Sequence, residues 1–209
     1  MPTEKDLLDK IESCIQELST DWHEKSDAYF WYEREIQSRL LGLLWQVPEL
    51  KAPIYLKQEG ILAELPFAHA ECPTRAGGGK FDIAIFLQRG IEKYANEIRW
   101  HRNTWQKELR EIPVFVAVEI KDPGGAPWDH ETQKDLNKLI ENMDNFQVSH
   151  GYQLIFYNGK NKKAQQQISE ISQNRRTLWG DRDISIYFSP CNVPSITPIW
   201  IKRSAQSHA

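Results

Sequence analysis

The chain has 209 residues, of which 40% are hydrophobic and 26% charged, so it can bury a sizeable core and is not composed like a disordered segment. A net charge of −3 and a pI near 6.1 exclude a generally basic nucleic-acid coat and leave room only for local basic patches. Cys14, Cys72 and Cys191 are odd in number, far apart and without metal-ligand spacing, and no apolar run reaches membrane-spanning length; a soluble cytoplasmic protein with reduced thiols and no membrane contact is expected.

Thr3 is a suitable N-cap, and Leu7, Leu8, Ile11, Cys14, Ile15 and Leu18 follow at helical spacing. This single apolar stripe either packs on the domain or serves as a dimer contact. Asp27 is read as the cap of a second helix running to about Gln46, before Pro48, with Tyr29, Tyr32, Ile36, Leu40, Leu43 and Leu44 as its core stripe. Glu33 falls on that stripe, an unusual place for a carboxylate. Between Pro53 and Glu71 lie two β-rich pieces, IYLKQEG and ILAELPFAHAE. CPTRAGGGK, residues 72–80, reads as a turn or mobile loop, and KFDIAIFL as a strand with Asp82 at its start. Residues 91–111 look helical and mixed in charge, with Trp100 and Trp105 among several basic residues.

Pro113 to Asp122, PVFVAVEIKD, is the stretch around which the chain is organised. Its two faces, Phe115/Ala117/Glu119/Lys121 and Val114/Val116/Val118/Ile120, are both apolar until the exit. Such a strand belongs in the middle of a covered sheet, where an unpaired charge costs several kcal/mol or more. Glu119 and Lys121 therefore need a reason. Asp129 caps the next helix, whose stripe is Leu136, Leu139, Ile140, Met143 and Phe146, and GYQLIFYNG follows as a strand. Strand, helix, strand implies parallel pairing. A Gln- and Lys-rich stretch over 160–176 reads as helical, and DISIYFSP and ITPIWIKR as short closing strands kept irregular or at an edge by Pro190, Pro194 and Pro198.

Four charges stand out as misplaced: Glu33, Asp82, Glu119 and Lys121. Antiparallel pairing of the Asp82 and Glu119 strands would bring the two carboxylates together, where they raise each other's pKa unless a cation lies between them. Hard oxygen ligands suit Mg²⁺ or Mn²⁺, and the carbonyl of Ile120 is a natural third ligand. An ion so held polarises a phosphodiester and activates water, while Lys121 orients that water or neutralises charge on phosphate oxygens. GGGK at 77–80 is not a P-loop, because Thr74 and Phe81 stand where glycine and Ser/Thr are required. The histidines show no metal spacing, and no Ser/His/Asp order is present.

Asp82, a long gap, then Glu119-Ile120-Lys121 resembles the PD-(D/E)xK motif of the restriction-endonuclease-like nucleases, with Phe81 where the name has proline. Glu33, in YEREIQSRLL, is similar to the first-helix acid of archaeal Holliday-junction resolvases and Mrr-type enzymes. The resemblance implies an α/β fold with a mixed central β-sheet flanked by helices (αβββαβ). It covers about 27–157 as the core, with residues 1–25 as a helical appendage, an insertion over 91–111 and a C-terminal extension over 158–209. It also implies metal ligation by Asp82, Glu119 and Ile120, with catalytic roles for Glu33, Asp82, Glu119 and Lys121. The implied activity is Mg²⁺-dependent hydrolysis of phosphodiester bonds, in DNA first, by a monomer or homodimer. KDLNKL, residues 134–139, resembles a helix segment of nuclease-like families, so Lys134 and Lys138, with Lys80 and Arg102, are candidates to contact nucleic acid; a solvated helix face is the alternative. Two further readings stay open: a nuclease-fold protein of weak or no activity serving as a nucleic-acid-binding or assembly subunit, and an RNA-directed nuclease.

Overall fold

The computed structural model describes residues 3–25, 32–51, 54–58, 61–65, 67–76, 79–87, 91, 110, 112–121, 127–191 and 195–202. Arg102, Trp100, Trp105 and nearly all of the expected 91–111 helix lie outside the described residues.

Helix α1 (Glu4–Lys25) opens with Thr3 and Asp6 exchanging bonds: Asp6 N–H donates to Thr3 Oγ1 at 3.1 Å and Thr3 N–H to Asp6 Oδ2 at 2.8 Å. Its stripe Leu7, Ile11, Cys14, Ile15, Leu18 and Trp22 is buried in the common core. Of the two readings of this stripe, packing on the domain is the one observed, and α1 is part of the core packing. Helix α2 (Glu33–Leu44) buries Ile36, Leu40, Leu41, Leu43 and Leu44. It starts at Glu33 and not at Asp27, because Tyr32 is extended, with ψ 155°. Tyr32 is consequently 69% exposed and leaves the expected stripe. A short helix α3 (Pro48–Lys51) follows, and then a separate antiparallel pair, β1 (Ile54–Gln58) with β2 (Ile61–Leu65).

The main sheet has six strands in the order β3-β4-β5-β6-β7-β8: Ala68–Pro73, Lys80–Ile85, Val114–Lys121, Val148–Asn158, Ile184–Cys191 and Ile199–Ile201. The second β-rich piece of the sequence therefore divides, its first half in β2 and its second in β3. Strands β3, β4 and β5 pair antiparallel, β5, β6 and β7 parallel, and β8 antiparallel, so the chain is an α/β protein with a mixed sheet. The edge expected at this end of the chain falls on ITPIWIKR and not on DISIYFSP. Strand β7 lies inside the sheet, with Pro190 paired beside Tyr157, and β8 takes the edge.

Strand β5 is buried along its length from Val114 to Ile120, as a strand apolar on both faces requires. Helix α4 (His130–Asp144) joins β5 to β6, and α5 (Ala164–Trp179) joins β6 to β7. On one face Tyr152, level with Val118, donates its hydroxyl to Glu12 of α1 at 3.1 Å. On the other, Gln153, level with Glu119, donates to the Thr132 carbonyl of α4 at 2.6 Å. Asp129 caps α4 as its sequence suggests, accepting from Thr132 N–H at 2.9 Å and from its hydroxyl at 2.8 Å. Among the described residues no helix is long and apolar enough to cross a membrane.

The stripe of α4 ends sooner than expected. Phe146 N–H donates to Met143 O at 3.0 Å and Gln147 N–H to Asn142 O at 2.9 Å, the paired bonds that close a helix through a left-handed residue. That residue is Phe146, with φ +55° and 88% exposure. A phenyl group gains little from packing there and carries the steric cost of the left-handed region. Phe146→Gly is expected to raise unfolding free energy by about 1 kcal/mol in urea titration. A loss of stability would show that the ring has a packing role.

Candidate active site: a carboxylate pair at the exit of β5

The antiparallel register Ile83↔Val118 is the last paired step between β4 and β5; one step on, Asp82 faces Glu119. There Asp82 Oδ2 accepts the Ile120 N–H at 2.6 Å. In an extended strand the N–H and C=O of one residue point to the same side, so the Ile120 carbonyl also lies toward Asp82. Gln37 of α2 donates to the Asp82 carbonyl at 2.6 Å and fixes the start of β4 from beneath.

These residues open onto a cleft of about 700 Å³ lined by Glu33, Asp82, Glu119, Lys121, Asp135 and Lys138, with Lys134 on its wall. Lys121 Nζ lies 3.2 Å from Asp135 Oδ2 and 3.6 Å from Glu33 Oε2. Lys138 Nζ lies 2.7 Å from Glu119 Oε2 and 3.4 Å from Asp135 Oδ1, and donates to the Lys80 carbonyl at 2.9 Å. Glu131 and Glu141 also line the cleft, so its carboxylates outnumber the ammonium groups of Lys121, Lys134 and Lys138.

Burial has its expected effect on the acids. It pushes Asp82 up to about 6, with Glu33 adding to the rise and the Ile120 N–H opposing it. It pushes Glu119 well above the ordinary range, and the Lys138 ammonium only partly offsets this. Burial pulls the two lysines the other way, but Asp135 and Glu33 at Lys121, and Glu119 at Lys138, outweigh it and hold both above the usual value. Both lysines are therefore cations at neutral pH.

A divalent cation fits this donor set by two observations. Glu119 is 1% exposed, yet its Oε1 has no hydrogen-bond partner among the described residues. Asp82 commits one oxygen to Ile120 and leaves the other. Among the described residues no three His, Cys, Asp or Glu side chains gather closely enough to hold a metal by themselves. The ligand set would be two carboxylates, the Ile120 carbonyl and water, a composition that suits Mg²⁺.

Of the residues singled out in the sequence, Glu33, Asp82, Glu119 and Lys121 come together. Lys134 and Lys138 line the same cleft, but the Lys138 ammonium is turned inward. Lys80 is outside the lining; its side chain lies 3.5 Å from Glu71, which is itself turned to solvent. Glu33 is half exposed at the start of α2 and reaches the cleft around the end of β5, not from within a buried stripe. Sequence reasoning missed Asp135. It stands three residues before Lys138 and fourteen after Lys121, on the α4 face next to Leu136 and Leu139, where a search for apolar stripes passes over it. It also missed Asn142, buried, whose Oδ1 accepts the N–H groups of Arg75 and Ala76 at 3.1 and 3.0 Å and so moors the loop forming one rim.

The raised Asp82 has a consequence for stability. A carboxyl that holds its proton more tightly when folded than when unfolded favours the folded state at low pH. Its contribution falls as pH climbs from about 4 to about 6 and stays unfavourable above. Asp82→Asn retains an acceptor for Ile120 N–H without the charge. Without divalent cations it is expected to exceed the wild type by about 2 kcal/mol at pH 7.5 in denaturant titration, and by much less at pH 4.5. A gap independent of pH would mean that Asp82 is not charged at a cost. Compared with known proteins, the chain matches no family model, no curated protein and no solved structure.

Proposed function

We propose that this chain is a metal-dependent nuclease of the restriction-endonuclease-like, PD-(D/E)xK kind, hydrolysing phosphodiester bonds with DNA as its foremost substrate. The observation that carries the reading is the pair of half-buried Asp82 and buried Glu119, level with each other on adjacent strands, with Lys121 two residues on and an open cleft in front. Buried carboxylates that no packing need explains are retained for chemistry more often than for stability. The order α2, β3, β4, β5, α4, β6 supports the same reading, since it is the αβββαβ succession that the motif implies, apart from α3 and the β1–β2 pair.

In this mechanism Asp82, Glu119 and the Ile120 carbonyl hold Mg²⁺ or Mn²⁺. When bound, the ion would polarise the phosphodiester and lower the pKa of water. The rest is done by the chain. Lys121, kept protonated by Asp135 and Glu33, cannot act as a base; it donates hydrogen bonds to water or to a phosphate oxygen and neutralises charge gathering there. Glu33, half exposed beside Lys121 at the mouth, is placed to accept the proton of the attacking water. Asp135 orients Lys121 from the opposite side. Lys134, on the exposed wall, can meet the backbone phosphates.

Incubation of plasmid, linear and single-stranded DNA, and of RNA, with Mg²⁺ or Mn²⁺ tests this. Wild type is expected to cleave DNA, and Asp82→Asn, Glu119→Gln and Lys121→Ala to lose at least about 100-fold while keeping their circular dichroism. Cleavage confined to RNA would move the substrate class. A wild type inert on every substrate would leave a binding or assembly subunit.

A further inference from the structure

The Lys138 ammonium is held from three sides. It donates to the Lys80 carbonyl of β4 and pairs with Glu119 Oε2 of β5 and Asp135 of α4, and its side chain is only 22% exposed. Its stem lies along the loop rim, with Cδ 3.7 Å from the place a side chain at Gly79 would begin. Lys138 thus occupies one oxygen of the carboxylate whose other oxygen, Oε1, is buried and has no partner among the described residues. Two positive centres sharing one buried carboxylate repel strongly, because little water lies between them to screen the charges.

We infer that Lys138 is the resident counter-ion of Glu119, and that divalent cation and Lys138 ammonium exclude each other there. Loading the cation drives the ammonium off Glu119 and toward the open cleft. The inference rests on the reading of Asp82 and Glu119 as cation ligands. A lysine suits the role: its charge is a point on a four-carbon stem that can swing between partners, whereas a guanidinium fork would be fixed by its planar contacts. In the cleft the nearest use for the released ammonium is a phosphate oxygen of the nucleic acid. The site would then be closed by its own lysine when no cation is present, and cation binding would supply both the ion and a freed phosphate contact.

Isothermal calorimetry with Mn²⁺, on cation-free protein and without nucleic acid, measures the competition. Lys138→Met keeps the stem and removes the charge. It is expected to bind Mn²⁺ about ten-fold more tightly than wild type, and Asp82→Asn to abolish binding in either background. Equal or weaker binding by a folded Lys138→Met overturns the inference while leaving the cation site of the wild type standing. No binding by wild type or variant removes both the inference and the cation chemistry proposed above. A second readout needs no variant. The ¹H–¹⁵N signal of the Lys138 ammonium, half-buried between Glu119, Asp135 and the Lys80 carbonyl, is expected to be visible in the cation-free protein and lost on saturation with Mg²⁺. A signal that persists unchanged at saturation overturns the displacement.

Discussion

The carboxylate of Asp82 takes the place of a backbone carbonyl. Where the β4–β5 ladder ends, the Ile120 N–H finds Asp82 Oδ2 at 2.6 Å instead of a neighbouring strand. This bond lets a central strand finish without an orphaned donor, and it holds an acid beside Glu119 where neither would settle alone. The site is therefore a consequence of how two strands part company. Because side chains alternate, the same step that aims Asp82 and Glu119 into the cleft aims Lys121 there too.

The charges around that bond form a chain of partners: Glu33, Lys121, Asp135, Lys138 and Glu119 in succession, each within 3.6 Å of the next. Lys121 and Lys138 each meet two acids, and Asp135 meets both lysines. Breaking a buried ion pair by removing one member is far costlier than the net worth of the intact pair, so each member constrains the others. Asp82 stands outside this succession, with a backbone N–H for company and an elevated pKa. Among the described residues it has no lysine within ion-pair distance.

Much of this was legible in the sequence, for a physical reason. Strand β5 betrays itself because residues apolar on both faces can only be central, and a carboxylate and an ammonium at its end are then conspicuous. Antiparallel pairing of their strands, once supposed, brings Asp82 and Glu119 together. What the sequence hid were facts of three-dimensional neighbourhood. Tyr29 and Tyr32 fall at helical spacing with Ile36, yet the extended backbone of Tyr32 begins the helix at Glu33. Pro190 suggests an edge, yet a shorter strand lies outside it. Phe146 continues the α4 stripe in spacing, while the left-handed turn at that residue points it to solvent. Asp135 carries no periodic signal, because its importance comes from Lys121, fourteen residues before it in sequence and 3.2 Å away in space.

That closeness depends on how near α4 can come to the sheet, and small residues set this. Beneath the helix Gly151 of β6 lies level with Ala117 of β5. A side chain beginning at Gly151 would stand 3.5 Å from Leu139 of α4 and 3.2 Å from Ile184 of β7, so there is room for the helix and none to spare. Leu139 is fully buried there, one residue from Lys138 and four from Asp135. Any bulk at 151 must push against the helix or the neighbouring strand, and the helix is the element that carries Asp135 and Lys138 to Lys121 and Glu119. The absence of a methyl group on the far strand thus governs contacts of 2.7 and 3.2 Å at the cleft. The polar site is accordingly a property of the apolar packing beneath it, in which a glycine under Leu139 sets the distance that the charges then use.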